Sequence, residues 1–276
     1  MKILLLGAGG FLGRHLMVYF RDQGHDVTPV FHKSSVNKDG LSIAMEDERS
    51  LASIPLEVEV VINCAAIVPP DQLQILPGHL DPVNGYGLLL LLERLKNLSI
   101  HFIHISSSHC LPRQSAIVGG TYEASKFAGE VLCQVYRKQF QNDITLIRPS
   151  YIYGPSMRET TVVMKFIQNA ILGKPIRVIG DPHKKFNFIY VSDVAKVVEY
   201  AILNRGIEYF AVSDTHTSLQ ELAETIVSVF ESQGGIQYLP ETGHQKIENS
   251  INSQTSPITK NIPLHEGIQR MKAIIQ

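Results

Sequence analysis

The chain repeats one rhythm: a short unbroken apolar run, a turn, then apolar positions spaced for one face of a helix. Ile3–Leu6 is the first such run, and glycines follow it directly. From about Phe11 to Asp22, Leu12, Leu16 and Phe20 fall one helical turn apart, which predicts a helix with one buried face. Asp26–Phe31 and Val58–Asn63 read as further strands, and a helix is expected from about Pro82 to Lys96. The strand His101–Ser106, a helix around Tyr122 and the strand Ile144–Arg148 continue the alternation. Strands alternating with helices in this way predict an α/β fold with a doubly wound parallel sheet. After Gly154-Pro155 the rhythm loosens, Gly243–Pro257 is polar and reads as loop, and a last short helix is expected from about Leu264.

Composition narrows the classes. At 276 residues the chain can hold one large α/β domain, or such a domain with a smaller lobe. A formal charge of −1 gives no basic footprint for nucleic acid. The longest apolar stretches, such as Leu88–Leu92, are too short to span a bilayer, and Met1-Lys2 leads straight into a strand without the look of a cleavable signal. Cys64, Cys110 and Cys133 are an odd number without metal-ligand spacing, so free thiols in a reducing cytoplasm are expected and no metal site is.

Candidate chemistry begins at Tyr122-Glu123-Ala124-Ser125-Lys126. Of the ten tyrosines only Tyr122 has a lysine four residues on, and residues so spaced share one helix face. A phenol titrates near pH 10, and a proton-shuttling tyrosine must titrate nearer the operating pH. Lowering it by about three units takes about 4 kcal/mol, which a cation about 4 Å away at an effective dielectric of ~20 can supply. Gly7, Gly10 and Gly13 form a G-x-x-G-x-x-G turn between the first strand and helix. It fails the tighter G-x-G-x-x-G because Leu12 takes the last position. Glycine lets the backbone turn sharply and approach a pyrophosphate, whose charge is favoured at a helix N-terminus. Directly after a first strand and opening a helix, the turn reads as dinucleotide-binding, the alternative being a glycine-rich turn with no ligand, and the sheet expected around it is Rossmann-type. Asn63-Cys64-Ala65-Ala66 ends a buried strand in small residues, and Ser106-Ser107-Ser108 ends another at the same sheet edge. Small side chains there either leave room for a ligand or pack tightly.

Taken together, these motifs resemble the short-chain dehydrogenase/reductases. Arg148-Pro149-Ser150-Tyr151-Ile152-Tyr153-Gly154-Pro155 and Phe188-Ile189-Tyr190-Val191-Ser192-Asp193-Val194-Ala195 resemble the extended branch, the NAD-dependent epimerase/dehydratase family. The resemblance covers residues 1 to about 205. It implies that Tyr122 gives or takes the proton, that Lys126 lowers its pKa and holds the nicotinamide ribose, and that Ser107, with Ser108 as second choice, orients the reacting oxygen. It further implies a cofactor site built from Gly7, Gly10, Phe11, Leu12, Gly13, Arg14, His32, Lys33, Cys64, Ala65 and Ala66 together with Tyr122 and Lys126. Asn84 matches a family asparagine on the neighbouring helix, or is a plain polar residue at a helix start. The expected layout is an NAD(P)-binding Rossmann domain over residues 1–153, with 187–205 returning to it. Residues 154–186 and 206–276 would form a smaller C-terminal substrate-binding lobe. The all-apolar Leu88–Leu92 would be covered on both sides, which in this family points to a homodimer.

Departures from the family refine the expectation. Phe31 stands where NAD-using members carry a ribose-reading acid, and His32-Lys33 follow, which favours NADP(H) over NAD(H). Ser108-His109-Cys110 replaces the Asp-Glu pair of the dehydratases, so a ketoreductase or epimerase is expected rather than a dehydratase. His109 and Cys110 read as loop and buried residues, the alternative being a proton-transfer pair. Tyr151 and Phe186 replace polar residues that help grip a sugar diphosphate, and both are expected to line the substrate pocket. The reading is therefore hydride transfer at a keto or hydroxyl carbon of a sugar or sugar nucleotide. The alternatives are reduction of a non-sugar carbonyl compound, or a non-catalytic nucleotide-sensing protein.

Overall fold

Burial of every residue from Ile3 to Leu6 follows from the place of β1 (Lys2–Leu6), which runs through the middle of a sheet. A computed structural model describes residues 1–34, 39–68, 82–111, 120–240 and 255–276. In it β1 pairs in parallel with β2 (Asp26–His32) on one side and with β4 (Val60–Asn63) on the other. β3 (Leu41–Ile43) lies outside β2, while β5 (His101–Ile105) and β6 (Ile144–Pro149) continue beyond β4, all in parallel. The strand Glu208–Ala211 closes the edge next to β6, making seven strands. The order 3-2-1-4-5-6 reverses direction between β1 and β4, and there a parallel sheet opens a crevice at its carboxyl edge.

α1 (Phe11–Asp22) has the expected bounds and buries Gly13, Leu16 and Phe20, with Leu12 half-buried. A short helix, α2 (Glu48–Ala52), is capped by the Asp47 carboxylate, which accepts from the Arg49 N–H at 3.1 Å. The segment expected as one helix from Pro82 to Lys96 is two pieces. Pro82–Gly87 forms a π-helical turn, and α3 (Leu88–Leu95) follows it. Gly85 and Gly87 are poor helix formers, and Gly87 sits so close to Met45 that a Cβ would come within 3.0 Å of it. Leu88, Leu91, Leu92 and Leu95 of α3 pack into the core with Leu4, Val61, Phe102 and Leu146 from the sheet. α4 (Thr121–Phe140) buries Lys126, Gly129, Glu130, Cys133 and Tyr136.

The chain divides into two compact units: Met1–Pro149 with Ala195–Phe210, and Ser150–Val194 with Ala211–Gln276. The crossings differ from the expected ones at 153, 187 and 206. Tyr151–Tyr153 pairs with Phe188–Tyr190, which draws both strands into the second unit, and Glu208–Ala211 completes the sheet of the first. Within the second unit, Lys185–Phe186 pairs antiparallel with Thr217–Ser218, and Ile176–Ile179 pairs in parallel with Ile236–Leu239. Its helix Leu219–Phe230 opens on a reciprocal cap. The Ser218 hydroxyl accepts from the Glu221 N–H at 3.1 Å, and the Ser218 N–H donates to Glu221 Oε2 at 2.6 Å. The last helix, Leu264–Ile275, begins where expected, while residues 243–254 of the expected polar loop lie outside the described residues. No helix among the described residues is long and apolar enough to cross a membrane.

Candidate active site

The glycine turn fits its place for steric reasons. Gly7 has φ +77°, and a Cβ there would lie 2.6 Å from the Ala65 nitrogen. At Gly13 a Cβ would meet the Gly7 carbonyl oxygen at 2.1 Å, so α1 can start this close to β1 only with glycine. Gly7, Gly10, His32, Cys64, Ala65 and Ala66 of the predicted cofactor residues line one cavity of about 310 Å³ at the switch between β1 and β4. Ile43, Met45, Ile67 and Val83 complete its apolar wall and were not foreseen, because they converge from segments far apart in sequence. Phe11, Leu12, Gly13 and Arg14 form the first turn of α1, where Arg14 Nη1 donates to the Gly9 carbonyl at 3.0 Å. The cavity is apolar, is bounded by backbone that a Cβ would displace, and opens by a helix N-terminus, so it fits the nucleotide end of a dinucleotide, while Tyr122, Lys126 and Ser107 are not among its lining residues.

Asn63 shapes the end of β4. Its Oδ1 accepts from the Ala65 N–H at 3.0 Å, and its amide lies 3.3 Å from His104 Nδ1. Asn84, 4% exposed, does more than start a helix. Its side chain bonds both backbone groups of Ile67, at 2.8 and 3.1 Å, and donates to Ser125 Oγ at 3.0 Å. It thereby ties the cavity wall after β4 to the helix that carries Tyr122 and Lys126.

Lys126 enters the core one turn after the half-buried Tyr122. It is 4% exposed, and its ammonium donates to the Ile105 carbonyl at 2.8 Å, at the end of β5. Burial pulls its pKa down to about 8, against the smaller pull of Cys64, Cys110, Cys133 and Glu130 toward the charged form. His104, also buried, is pushed well below the usual imidazole range by burial and by Lys126, so it stays neutral. Ser107, two residues past Ile105, is buried. Its Oγ accepts from the His109 N–H at 3.2 Å and lies 3.4 Å from His109 Nδ1. Ser108 is half-buried, and its N–H donates to the Pro149 carbonyl at 3.0 Å.

Cys110 is the buried residue that the sequence leads one to expect. It is fully buried, and its one S–H proton is shared between the Ser107 carbonyl at 2.9 Å and Glu130 Oε1 at 3.2 Å. Burial, with Glu130 adding, raises that thiol to about 11. Glu130 in turn accepts two bonds from Arg148, both at 2.8 Å, and Arg148 Nη1 reaches Glu208 at 2.7 Å. Burial works against both charges, but their pairing holds the carboxyl below its usual range and the guanidinium above its own. Glu130 lies four residues past Lys126 and eight past Tyr122. That spacing on one face is the signal that could have found it.

Tyr151 and Phe186 belong to the second unit, where their rings meet at 5.4 Å edge to face and both contact Phe188. Asn187 beside them is occupied. Its Oδ1 accepts from Ser150 Oγ and from the Ser213 N–H, and its amide donates to the Ser213 carbonyl.

A parallel sheet in 3-2-1-4-5-6 order, a glycine turn at its switch point and a buried lysine below the serine-ended strand define a Rossmann-type oxidoreductase scaffold. The chain belongs to the NAD dependent epimerase/dehydratase family, whose model matches residues 3–209, and it is an enzyme of that family. An uncharacterized UDP-glucose epimerase of Bacillus subtilis is 28% identical over 225 residues, 71% of each chain. UDP-glucuronic acid decarboxylase 1 of Arabidopsis thaliana is 23% identical over 98% of this chain and 69% of that protein. Among solved structures, a UDP-glucose 4-epimerase of Thermotoga maritima with UDP-glucose superposes with a TM-score of 0.84 at 20% identity, covering 100% of both chains. UDP-glucuronic acid 4-epimerase of Bacillus cereus, in complex with UDP-glucuronic acid and NAD, gives 0.80 at 21% identity over 99% and 100%.

Proposed function

We propose that this enzyme is an epimerase or ketoreductase of nucleotide sugars, with Tyr122, Lys126 and Ser107 as its catalytic residues. The observation that carries this is Lys126, a cation held in the core by the Ile105 carbonyl, one turn from Tyr122 and bonded two residues before Ser107. A bound nicotinamide supplies hydride acceptance and return. The chain's own part is to hold the sugar oxygen by the Ser107 hydroxyl and to move its proton to or from the Tyr122 phenol. Lys126 favours the phenolate and grips the nicotinamide ribose. Epimerisation uses these steps twice, first taking the proton as a ketone forms and then returning it as the ketone is reduced on its other face. Ketone reduction uses the second half alone.

NADP(H) is the favoured cofactor, since Phe31 brings no carboxylate and Lys33 brings a cation to that edge. The second unit is the substrate lobe, with Tyr151 and Phe186 among its substrate contacts. That aromatic pair is also what favours a second reading, a carbonyl substrate without a sugar diphosphate. The protein works as a homodimer through α3 and α4, the latter leaving Val131 and Val135 exposed, and in the cytoplasm, where Cys64, Cys110 and Cys133 stay reduced.

The test is NMR of UDP-glucose and UDP-glucuronic acid incubated with the protein and each nicotinamide cofactor. Tyr122→Phe and Ser107→Ala serve as variants. A new anomeric signal is expected. Its rate should fall about 10²-fold or more in Tyr122→Phe, and less in Ser107→Ala. Conversion at an unchanged rate in Tyr122→Phe removes the catalytic assignment. Reduction of a simple ketone with no sugar turnover moves the function to the second reading.

A further inference from the structure

β2 and β3 leave the sheet side by side at the edge of the cavity, and the pairing continues past them, with the Lys33 N–H donating to the Ile43 carbonyl at 2.8 Å. Three side chains follow one another there. Phe31 is 3% exposed, its ring against Gly40, and it is part of the cavity's apolar wall, with no charge to offer. His32 Nδ1 is held by the Ser34 hydroxyl at 2.7 Å. Lys33 is the exposed cation, and its Nζ lies 3.9 Å from Glu46 Oε1, on the segment that follows β3. The other carboxylate oxygen, Glu46 Oε2, is shut off from solvent and has no hydrogen-bond partner among the described residues. The chain neighbours of this pair, His32 and Met45, both line the cavity.

We propose that Lys33 and Glu46 together set the discrimination between NADP(H) and NAD(H), Glu46 opposing the attraction that Lys33 exerts on a 2′-phosphate. The inference rests on the proposal that this cavity binds a nicotinamide dinucleotide. The two charges act in opposite senses on that phosphate. Lys33 can form a charge-assisted contact with it, whereas an unneutralised carboxylate repels it. Lys33 is mostly in water and 3.9 Å from its partner, and a pair of that kind is weak, so a phosphate can draw the ammonium away. Glu46 cannot follow into solvent as freely, because Oε2 is already enclosed. The preference of the wild-type protein is then the difference between two opposed effects. Glu46→Gln keeps the shape and removes only the opposing charge, while the ribose hydroxyl of NADH carries no charge for Glu46 to repel.

The experiment is fluorescence titration of NADH and NADPH into the full-length protein, Glu46→Gln, Lys33→Ala and the double variant. In Glu46→Gln the NADPH-to-NADH affinity ratio should rise about tenfold through tighter NADPH, with NADH within about twofold. Lys33→Ala should lower the ratio by a similar factor, and Glu46→Gln should do less in that background than in the wild type, as coupled neighbours do. A ratio unchanged in Glu46→Gln overturns the selector. So does a loss of NADH affinity with NADPH unchanged, which would make Glu46 a reader of the ribose hydroxyl. If neither cofactor binds the wild type, the dinucleotide reading itself fails, a result distinct from both.

Discussion

Replacing Lys126 by methionine should leave the folded protein more tolerant of neutral pH than the wild type, and by an amount that pH itself reveals. The methionine keeps most of the buried stem and removes the ammonium. In the folded protein Lys126 gives up its proton at about 8, against 10.5 for an unburied lysine. The folded-state value is depressed, so between these limits the unfolded chain binds more protons, and stability rises with pH. Below about 8 the charged form is carried in both states and the burial cost is present in full. At 1.36 kcal/mol per pH unit, relief of that cost across the window is about 3 kcal/mol. Urea unfolding of wild type and Lys126→Met at about pH 7, 9 and 10.5 isolates it, since the titrating groups that Lys126 does not touch are common to both proteins. The wild type should gain about 3 kcal/mol on the variant from the lowest pH to the highest. A difference constant across the series would mean that Lys126 is neutral or well solvated in the fold. A cation kept in the core at such a cost is the mark of a functional group, and cofactor affinity should fall in the same variant.

Three further outcomes follow from other contacts. Glu130→Ala leaves Arg148 buried with Glu208 as its remaining carboxylate in the network, and should cost about 3–5 kcal/mol in urea unfolding; a loss under 1 kcal/mol would mean that the network relaxes freely. Gly13→Ala drives a methyl group against the Gly7 carbonyl and should destabilise by about 1–3 kcal/mol while weakening NADPH in the same titration, whereas wild-type affinity would show that the turn can widen. Because burial lifts Cys110 to about 11 and Cys133 to about 12, both thiols should resist iodoacetamide near pH 8 in the folded protein by intact mass and react in urea, whereas Cys64 lines the cavity and is only half-buried; fast labelling of Cys110 or Cys133 in the folded state contradicts their burial.

Much of the first unit was legible because its signals are local. Ile3–Leu6 is buried on both faces and so reads as an unbroken run, and Gly7 and Gly13 announce a close approach that only backbone can make. The Tyr122–Lys126 spacing likewise needs nothing beyond helix periodicity. The π-helical turn at Pro82–Gly87 was not legible from the apolar spacing, although Gly85 and Gly87 mark the place, and that Gly87 faces Met45 of a distant segment is visible only in the fold. Met45, Ile43 and Val83 became cavity wall for the same reason: apolar residues announce burial but not what they face. The crossings between units were misplaced by a few residues because Tyr151–Tyr153 looks like a continuation of β6 until its pairing with Phe188–Tyr190 is known. Cys110 was legible as a buried residue but not in what it touches, which only its contacts with Glu130 and the Ser107 carbonyl reveal.

The edge strand Glu208–Ala211 also bears on how the chain is made. A ribosome makes β1 to β6 first and reaches Glu208 only after the whole of Ser150–Val194 has been translated. At about 5–20 residues per second that interval is roughly 3–12 s. Throughout it β6 is an open edge, without the Leu146 N–H bond to the Ile207 carbonyl, and Arg148 lacks its contact with Glu208. An unpaired hydrophobic edge invites pairing with other nascent chains. The first unit is thus finished from its far side, and the period of greatest exposure to aggregation falls while the second unit is still being translated.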